Sequence, residues 1–308
     1  MLRIVWAMEG ANMTGRIVVL TGASSGIGSA AAAALGELGA TVVPVGRSRE
    51  RLGAVAERVR AAGGSGGEPQ VADFASLAEV RALAQRLLAA HEQIHVLVNN
   101  AGTLAAKRPL TVDGHGKTFA VNHLAPFLLT NLLLERLRRS APARIITTAS
   151  AEHHRGRLSI ETLSEDERSW GVLAAYRNSK LANVLFTREL ARRLEGSGVV
   201  ANALHPGGVR TELGRDLPLA MRLGWKIVSR QFVSAEEGAR TLVYLASSEE
   251  VATSSGGYFA NCRPARISKQ AEDDALAAAL WRWSEVAAGL AAEEPRAAIS
   301  RGSRTDHG

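Results

Sequence analysis

The chain has 308 residues, 46% of them hydrophobic and 22% charged, a balance typical of a globular protein whose core needs no metal or disulfide. Its single cysteine, Cys262, excludes an internal disulfide and fits a reducing compartment. The net charge of +7 comes mostly from scattered arginines, and aromatic residues make up only 5% of the chain, so we expect no nucleic-acid partner.

Short β-rich runs alternate with longer helical patterns along the chain. Strands are predicted at 16–20, 41–45, 70–72, 95–100, 144–150, 198–206 and 257–259. Helices are predicted at 26–38, 50–62, 77–90, 127–138, 174–194, 235–246 and 271–290. Apolar strands that alternate with helices indicate a parallel sheet covered on both faces. The expected fold is therefore α/β, a single doubly wound Rossmann-type domain with a mostly parallel sheet of about seven strands.

Both ends of the chain differ from the predicted domain, which spans residues 14–290. Residues 1–12 are too short and too polar at their end for a signal peptide, and Met13 is an alternative start, so residues 1–13 are expected to be disordered or artefactual. The polar segment 291–308 is expected to be a flexible tail. No run of about 18 uninterrupted apolar residues occurs. We therefore expect no membrane span and a cytoplasmic location.

A glycine-rich loop, TGASSGIG at residues 21–28, follows the first predicted strand directly. Its glycines let the backbone turn sharply and approach a pyrophosphate, whose charge the next helix N-terminus favours. A tight turn without a ligand is the alternative, but the position between a strand and a helix favours dinucleotide binding. The cofactor-binding residues predicted in this loop are Gly22, Ser24, Ser25, Gly26, Ile27 and Gly28.

The end of the second strand bears on the choice of nicotinamide dinucleotide. An NAD-selective site has an acidic side chain there, on the ribose hydroxyls. This chain has Gly46 and Arg47 instead, with no carboxylate before Glu50. A guanidinium can bind a 2′-phosphate through two hydrogen bonds, whereas the alternative is a solvated arginine at a helix start. The sequence favours NADP(H) over NAD(H).

Tyr176 and Lys180 are four residues apart on a predicted helix and so share one face. A nearby lysine cation is expected to lower the pKa of a phenol, which can then exchange a proton with a carbonyl or alcohol oxygen. Ser150 is the last residue of the fifth predicted strand, at the carboxyl end of the sheet, where its hydroxyl can orient the substrate oxygen. Asn122 is a polar residue in an apolar helical stretch, either a holder of a proton-relay water or a helix-kinking or capping residue.

The order of these motifs along residues 15–260 resembles the short-chain dehydrogenase/reductase family. The resemblance is carried by TGASSGIG, Asp73, NNAG at 99–102, Asn122, Ser150, YRNSK at 176–180 and HPGGVRT at 205–211. It implies that Tyr176 is the acid–base and that Lys180 binds ribose and tunes the phenol. It implies that Ser150 orients the substrate and that Asn122 serves the relay. The other implied cofactor contacts are Asp73 near the adenine, Asn99, Ala101, Gly102, Pro206, Gly207 and Thr211.

Within that family, YRNSKLANVLFTRELARRL, HPGGVRTEL and SGGYFANC look like the retinol dehydrogenase and WW-domain oxidoreductase branch. That branch typically prefers NADP(H), in agreement with Arg47. The apolar segment 213–232 is expected to be a substrate loop that favours a lipophilic alcohol or carbonyl compound. A catalytically silent NADP(H)-binding sensor is the alternative, although a sensor need not keep both Tyr176 and Lys180. A homodimer or homotetramer is compatible with the sequence.

Three further features carry less weight. GHGKT at residues 114–118 contains the tail of a P-loop but has Thr111 where the first glycine belongs. His153 and His154 have no cysteine or carboxylate framework for a metal, so we expect surface or substrate-loop residues and no metal site. Trp281 and Trp283 predict an aromatic edge that docks the last helix, with a subunit contact or substrate wall as the alternative.

Overall fold

A computed structural model of the protein describes residues 11–106, 109–208 and 233–291. The predicted substrate loop at 213–232 and the predicted cofactor residue Thr211 lie outside the described residues. At the start of this range, Met13 is buried, and its backbone N–H donates to the Leu38 carbonyl at 2.8 Å. Ordered packing therefore begins no later than Met13.

Nine strands in the described residues form one sheet. The strands are β1 (Ile17–Thr21), β2 (Thr41–Gly46), β3 (Ser65–Gly66), β4 (Gln70–Val71), β5 (Val96–Asn99), β6 (Ala143–Thr148), β7 (Val199–His205), β8 (Tyr258–Ala260) and β9 (Arg263–Pro264). Their order in the sheet is β3-β2-β1-β5-β6-β7-β8-β9, with β4 also paired to β2. The pairings are parallel except that of β8 with β9. The predicted doubly wound α/β fold is thus confirmed, with β3 and β9 as short strands that the sequence did not predict.

The helices cover both faces of the sheet, and side chains that accept hydrogen bonds from backbone N–H groups begin several of them. Ser48, Ser76, Ser234 and Asp273 are such caps. The helices are α1 (Gly26–Glu37), α2 (Arg49–Ala61), α3 (Leu77–Ala90), α4 (Lys117–Phe119), α5 (Ala125–Arg139), α6 (Leu163–Ser169), α7 (Val172–Arg193), α8 (Ala235–Ser247) and α9 (Asp274–Ala287). A π-helical turn (Ala120–Leu124) joins α4 to α5.

Two apolar cores result because successive strand residues point to opposite faces of the sheet. Val18 of β1 packs in the core beneath α1, α2 and α8, and Val19 packs in the core beneath α3, α5, α7 and α9. In the second core, the ring of Trp281 lies 4.9 Å from that of Phe127 and 5.8 Å from that of Phe186. Trp281 thereby docks α9 onto the body of the domain.

The order of the sheet determines where a ligand can bind. From β1 the chain first builds outward through β2, and it then returns to place β5 on the other side of β1. In doubly wound sheets, the crevice at such a switch point, beyond the carboxyl ends of the strands, is where ligands bind. The loops after β1 and β5 therefore mark the place to look for a site.

Candidate active site

A cavity of about 810 Å³ opens at this switch point. Most of the predicted site residues line it. They are Gly22, Ser24, Ser25, Gly26, Ile27, Gly28, Arg47, Asp73, Ala101, Gly102, Ser150, Tyr176, Lys180, Pro206 and Gly207. The fold thus brings the glycine loop and the Ser–Tyr–Lys group, more than 120 positions apart in the sequence, to the walls of one cavity.

The glycine loop is built for close backbone approach. Gly22 and Gly26 have φ angles of +68° and +53°, which favour glycine. A Cβ atom on Gly28 would lie 2.3 Å from the Gly22 carbonyl oxygen, so no larger residue fits without displacing the loop. The side chain of Ser25, which precedes α1, makes no capping hydrogen bond. Gly26, Ile27 and Gly28 at the start of α1 line the cavity, so the first N–H groups of the helix can bind an anion such as a pyrophosphate there.

The loop after β5 is held to β1 by the buried Thr21. Its hydroxyl donates to the Val98 carbonyl at 3.0 Å and accepts from the N–H groups of Asn100 and Ala101 at 2.9 and 3.0 Å. The Asn100 side chain in turn donates to the Thr21 carbonyl at 3.1 Å. This network fixes the cavity wall formed by Asn100, Ala101 and Gly102.

The prediction that Asn99 lies beside the cofactor needs correction. Asn99 is buried away from the cavity, and its amide donates to the Thr130 hydroxyl of α5 at 2.9 Å. Asn99 is the last residue of β5, so its side chain and that of Asn100 point to opposite sides. The asparagine that lines the cavity is Asn100.

Two guanidinium groups line the cavity beyond the end of β2. Arg47 follows the strand, and Arg51 lies in the first turn of α2. The carboxylate that lines the cavity nearby belongs to Asp73, and its Oδ1 accepts from the Ala75 N–H at 3.0 Å. The positive charge at this end of the cavity suits a phosphate group.

Lys180 is buried in α7, and its Nζ donates to the Thr148 carbonyl at 2.9 Å. The same Nζ lies 5.6 Å from the centre of the Tyr176 ring. Burial lowers the pKa of Lys180 to about 8. The ammonium therefore stays mostly protonated at neutral pH, close to the phenol.

The pKa of Tyr176 shifts in the direction opposite to our expectation. Burial raises it above its ordinary value, a hydrogen bond with Ser150 lowers it, and the negative charge of Glu152 raises it further. The expected lowering by Lys180 does not prevail, because burial penalises the phenolate. In the protein alone, Tyr176 is therefore a firmly protonated acid.

Asn122 lies within the π-helical turn and does not border the cavity. Its Oδ1 accepts from the Thr103 N–H at 2.7 Å, and its Nδ2 donates to the Thr103 carbonyl and the Ser179 hydroxyl, both at 3.0 Å. A Cβ on Gly102 would lie 3.4 Å from Asn122 Oδ1 and 3.8 Å from Lys180 Nζ. Asn122 thus stands near Lys180 and fastens the loop after β5 to the helices.

The cavity also has charged walls that the sequence did not point to. Glu152 lines it and accepts from Arg177 at 2.7 Å and from Arg155 at 2.9 Å. Arg177 and Lys117 line it as well. Glu152 lies two positions after Ser150, Arg177 lies within YRNSK, and Lys117 lies within GHGKT. Their residue types alone do not distinguish them from ordinary surface charges.

The surface or substrate-loop position expected for the two neighbouring histidines holds for only one of them. His153, expected on a surface or substrate loop, is fully buried, whereas the neighbouring His154 is exposed. Throughout the ranges that the structure describes, no group of three metal-ligating side chains converges.

Burial raises the pKa of the Cys262 thiol, so the reactive thiolate is disfavoured there. Within the described residues, no helix is long and apolar enough to cross a bilayer.

Comparison with known protein sequences agrees with this geometry. The sequence profile of the short chain dehydrogenase family matches residues 16–221. Retinol dehydrogenase 14 from Homo sapiens is 44% identical over 295 residues, which cover 90% of this chain and 88% of that protein. Dehydrogenase/reductase SDR family member 13 from Bos taurus is 43% identical over 288 residues, covering 91% and 75% respectively.

Solved structures share the fold. An uncharacterized protein from Mycobacterium paratuberculosis superposes with a TM-score of 0.73 at 35% identity, covering 90% of this chain and 95% of that one. A second structure, from Beutenbergia cavernae, is described as an NAD(P) dependent gluconate 5-dehydrogenase with NADP bound at low occupancy. It gives a TM-score of 0.66 at 30% identity, covering 81% of this chain and 96% of that one.

Proposed function

The chain belongs to the short-chain dehydrogenase family of oxidoreductases, and on that premise we propose that it transfers a hydride between NADP(H) and a lipophilic alcohol or carbonyl compound. One observation carries the proposal. Ser150, Tyr176 and Lys180 share a cavity with a glycine loop and helix N-terminus suited to a dinucleotide. The geometry fits such a cofactor because the loop glycines leave no room for side chains where a pyrophosphate would approach.

The chemistry assigned to the protein is proton transfer. When bound, NADP(H) supplies or accepts the hydride at the substrate carbon. The Tyr176 hydroxyl donates its proton to the carbonyl oxygen during reduction and takes it back from the alcohol during oxidation. Ser150, whose hydrogen bond with Tyr176 lowers the pKa of the phenol, orients the same oxygen. Because Lys180 Nζ lies 5.6 Å from the phenol ring, its charge stabilises the phenolate that proton donation leaves behind.

Preference for NADP(H) is supported by Arg47 and Arg51, whose side chains line the cavity beyond β2. A 2′-phosphate at this end would meet guanidinium groups, whereas the nearby Asp73 carboxylate is engaged by the Ala75 N–H. A guanidinium can bind a phosphate through two short, charge-assisted hydrogen bonds. The NADP in the Beutenbergia cavernae structure is consistent with this preference.

A lipophilic substrate is supported by the apolar part of the cavity lining, which includes Leu104, Val121 and Leu173. Leu173 is 50% exposed despite its size, which suits a residue at the mouth of a binding site. The names of several relatives point to retinol, an apolar alcohol. Retinoids and medium-chain aldehydes are therefore sensible test substrates.

The proposal is tested by screening carbonyl and alcohol compounds while following the absorbance of the reduced nicotinamide. We expect turnover with NADPH or NADP⁺ that Tyr176→Phe lowers by at least about 100-fold, the usual contribution of a positioned acid–base. Cofactor affinity, measured by fluorescence titration, should survive the substitution. Wild-type kcat in Tyr176→Phe would refute the acid–base assignment. Tight NADPH binding without any turnover would instead favour a sensor.

A further inference from the structure

His153 is buried beneath the cavity and makes a hydrogen bond with each ring nitrogen. Its Nδ1 lies 2.7 Å from the Ser150 carbonyl oxygen, and its Nε2 lies 3.2 Å from the backbone nitrogen of Ser268. The ring packs against Tyr258, with 4.8 Å between centroids. The imidazole therefore bridges the turn that follows β6 and the segment that follows β9.

The two partners settle the position of the proton. A carbonyl oxygen can only accept, so Nδ1 carries the hydrogen and donates it to Ser150. The Ser268 N–H can only donate, so Nε2 is the unprotonated nitrogen. Burial lowers the pKa of His153 to about 4, which keeps this neutral form throughout the neutral range. His153 is thus a fixed donor–acceptor pair and does not exchange protons with the substrate.

His153 makes hydrogen bonds to Ser150, a serine that lines the cavity. The Ser150 carbonyl accepts from both the His153 side chain and the His153 backbone N–H, the latter at 3.1 Å. On the opposite side of the same residue, the Ser150 hydroxyl accepts from the Glu152 N–H at 3.3 Å and interacts with Tyr176. A rotation of the Ser150 carbonyl would move the hydroxyl away from Tyr176, since both are attached to the same short turn.

We propose that His153 is a positioning residue that anchors the Ser150 backbone to the segment at Ser268 and so keeps the Ser150 hydroxyl aimed at the Tyr176 hydroxyl. The proposal rests on the proposed function, because it matters only where Ser150 takes part in turnover. It assigns a use to a buried histidine that touches neither the cavity nor a metal.

Two isosteric variants separate the two hydrogen bonds. In His153→Asn, the amide nitrogen replaces Nδ1 and still donates to Ser150, while the Ser268 contact is lost. In His153→Gln, the amide oxygen reaches towards the Ser268 N–H, while the donor to Ser150 is lost. We expect His153→Gln to lower kcat by about tenfold, the order of one lost hydrogen bond to a buried group, with little change in the KM for NADPH. His153→Asn should restore most of that kcat, although it melts at a lower temperature.

A double-mutant cycle distinguishes positioning from general stability. If His153 acts through Ser150, His153→Gln should cost no further kcat in a Ser150→Ala background. A purely structural defect would lower kcat by the same factor in both backgrounds. His154→Gln is the control for ring packing, because the exposed His154 ring lies 4.1 Å from the His153 ring but makes neither of the two hydrogen bonds and does not line the cavity. It should keep wild-type kcat, since both hydrogen bonds of His153 remain.

The proposal is overturned by wild-type kcat in His153→Gln, by equal losses in the Asn and Gln variants, or by additive costs in the cycle. A His153→Gln protein that fails to fold while His153→Asn folds would assign the Ser150 hydrogen bond to stability and overturn it too. Failure of the proposed function looks different. In that case the wild type turns over no alcohol or carbonyl, or Ser150→Ala keeps normal kcat, and no serine is left for His153 to position.

Discussion

Replacing Arg47 with alanine removes one of the two guanidinium groups that line the cavity beyond β2. Hydrogen bonds to a charged group contribute about 1.5–3 kcal/mol when well formed. Arg47 is exposed, so solvent screening reduces this to about 1–1.5 kcal/mol. Because about 1.4 kcal/mol corresponds to a factor of ten in a rate ratio, kcat/KM for NADPH should fall roughly 5- to 10-fold. The value for NADH should hardly change, since NADH lacks the 2′-phosphate.

The assay is the initial rate at varied NADPH and NADH with a saturating carbonyl substrate. Arg49→Ala is a matched control, because Arg49 is two positions away but does not line the cavity. Its side chain is 73% exposed and forms a surface ion pair with Glu68 at 3.7 Å. An unchanged NADPH preference in Arg47→Ala, or an equal change in Arg49→Ala, would refute the reasoning. A larger loss in Arg47→Ala/Arg51→Ala than in either single variant would show that both guanidinium groups contribute.

Three further predictions concern packing and charge. Gly28→Ala should abolish NADPH binding in a fluorescence titration, because its Cβ would lie 2.3 Å from the Gly22 carbonyl; the control Gly53→Ala, in α2 with no atom within 4 Å of its Cβ, should instead stabilise the protein by about 0.5–1 kcal/mol. Trp281→Ala should lower the free energy of unfolding by about 3–5 kcal/mol, the usual cost of deleting a buried aromatic ring, as measured by chemical denaturation; a change below about 1 kcal/mol would contradict the packing of α9. Lys180 has a pKa of about 8 in the folded state, below its unfolded value, so the unfolded chain binds more protons and this group makes the folded state more stable as the pH rises through 8. The wild type should therefore gain roughly 1 kcal/mol over Lys180→Met between about pH 7 and 9; parallel pH profiles for the two proteins would contradict the burial of the charge.

Much of the fold could be predicted because its strands are continuous apolar runs and its helices are amphipathic. The elements that escaped prediction lack those signals. β3 is Ser65–Gly66 and β9 is Arg263–Pro264, which pair through backbone groups without an apolar run. α6, with the sequence LSEDERS, is polar and is held in place by tertiary contacts. One of these is the hydrogen bond from Trp283 Nε1 to the Ser164 hydroxyl at 2.9 Å.

The glycine loop and the Tyr–Lys pair could be predicted because their function depends on local spacing. The choice between Asn99 and Asn100 depends on where β5 ends and which face its last residue takes, and the motif NNAG fits either register. Because successive strand residues point to opposite faces of the sheet, a shift of one residue moves a side chain from the cavity to the core. The structure resolves the choice, since Thr21 binds the backbone of Asn100 while Thr130 binds the side chain of Asn99.

The pKa of Tyr176 shows most clearly why local sequence spacing does not predict the electrostatics of the site. From the i, i+4 pair alone, the lysine cation should lower it, yet the folded environment raises it. Burial is set by the surrounding walls, and Glu152 adds negative charge from a turn 24 positions earlier in the chain. A phenol that holds its proton firmly is suited to donate it to a carbonyl, whereas alcohol oxidation needs that proton removed first. Oxidation should therefore depend more steeply on pH than reduction, with its rate rising towards alkaline pH as Tyr176 ionises.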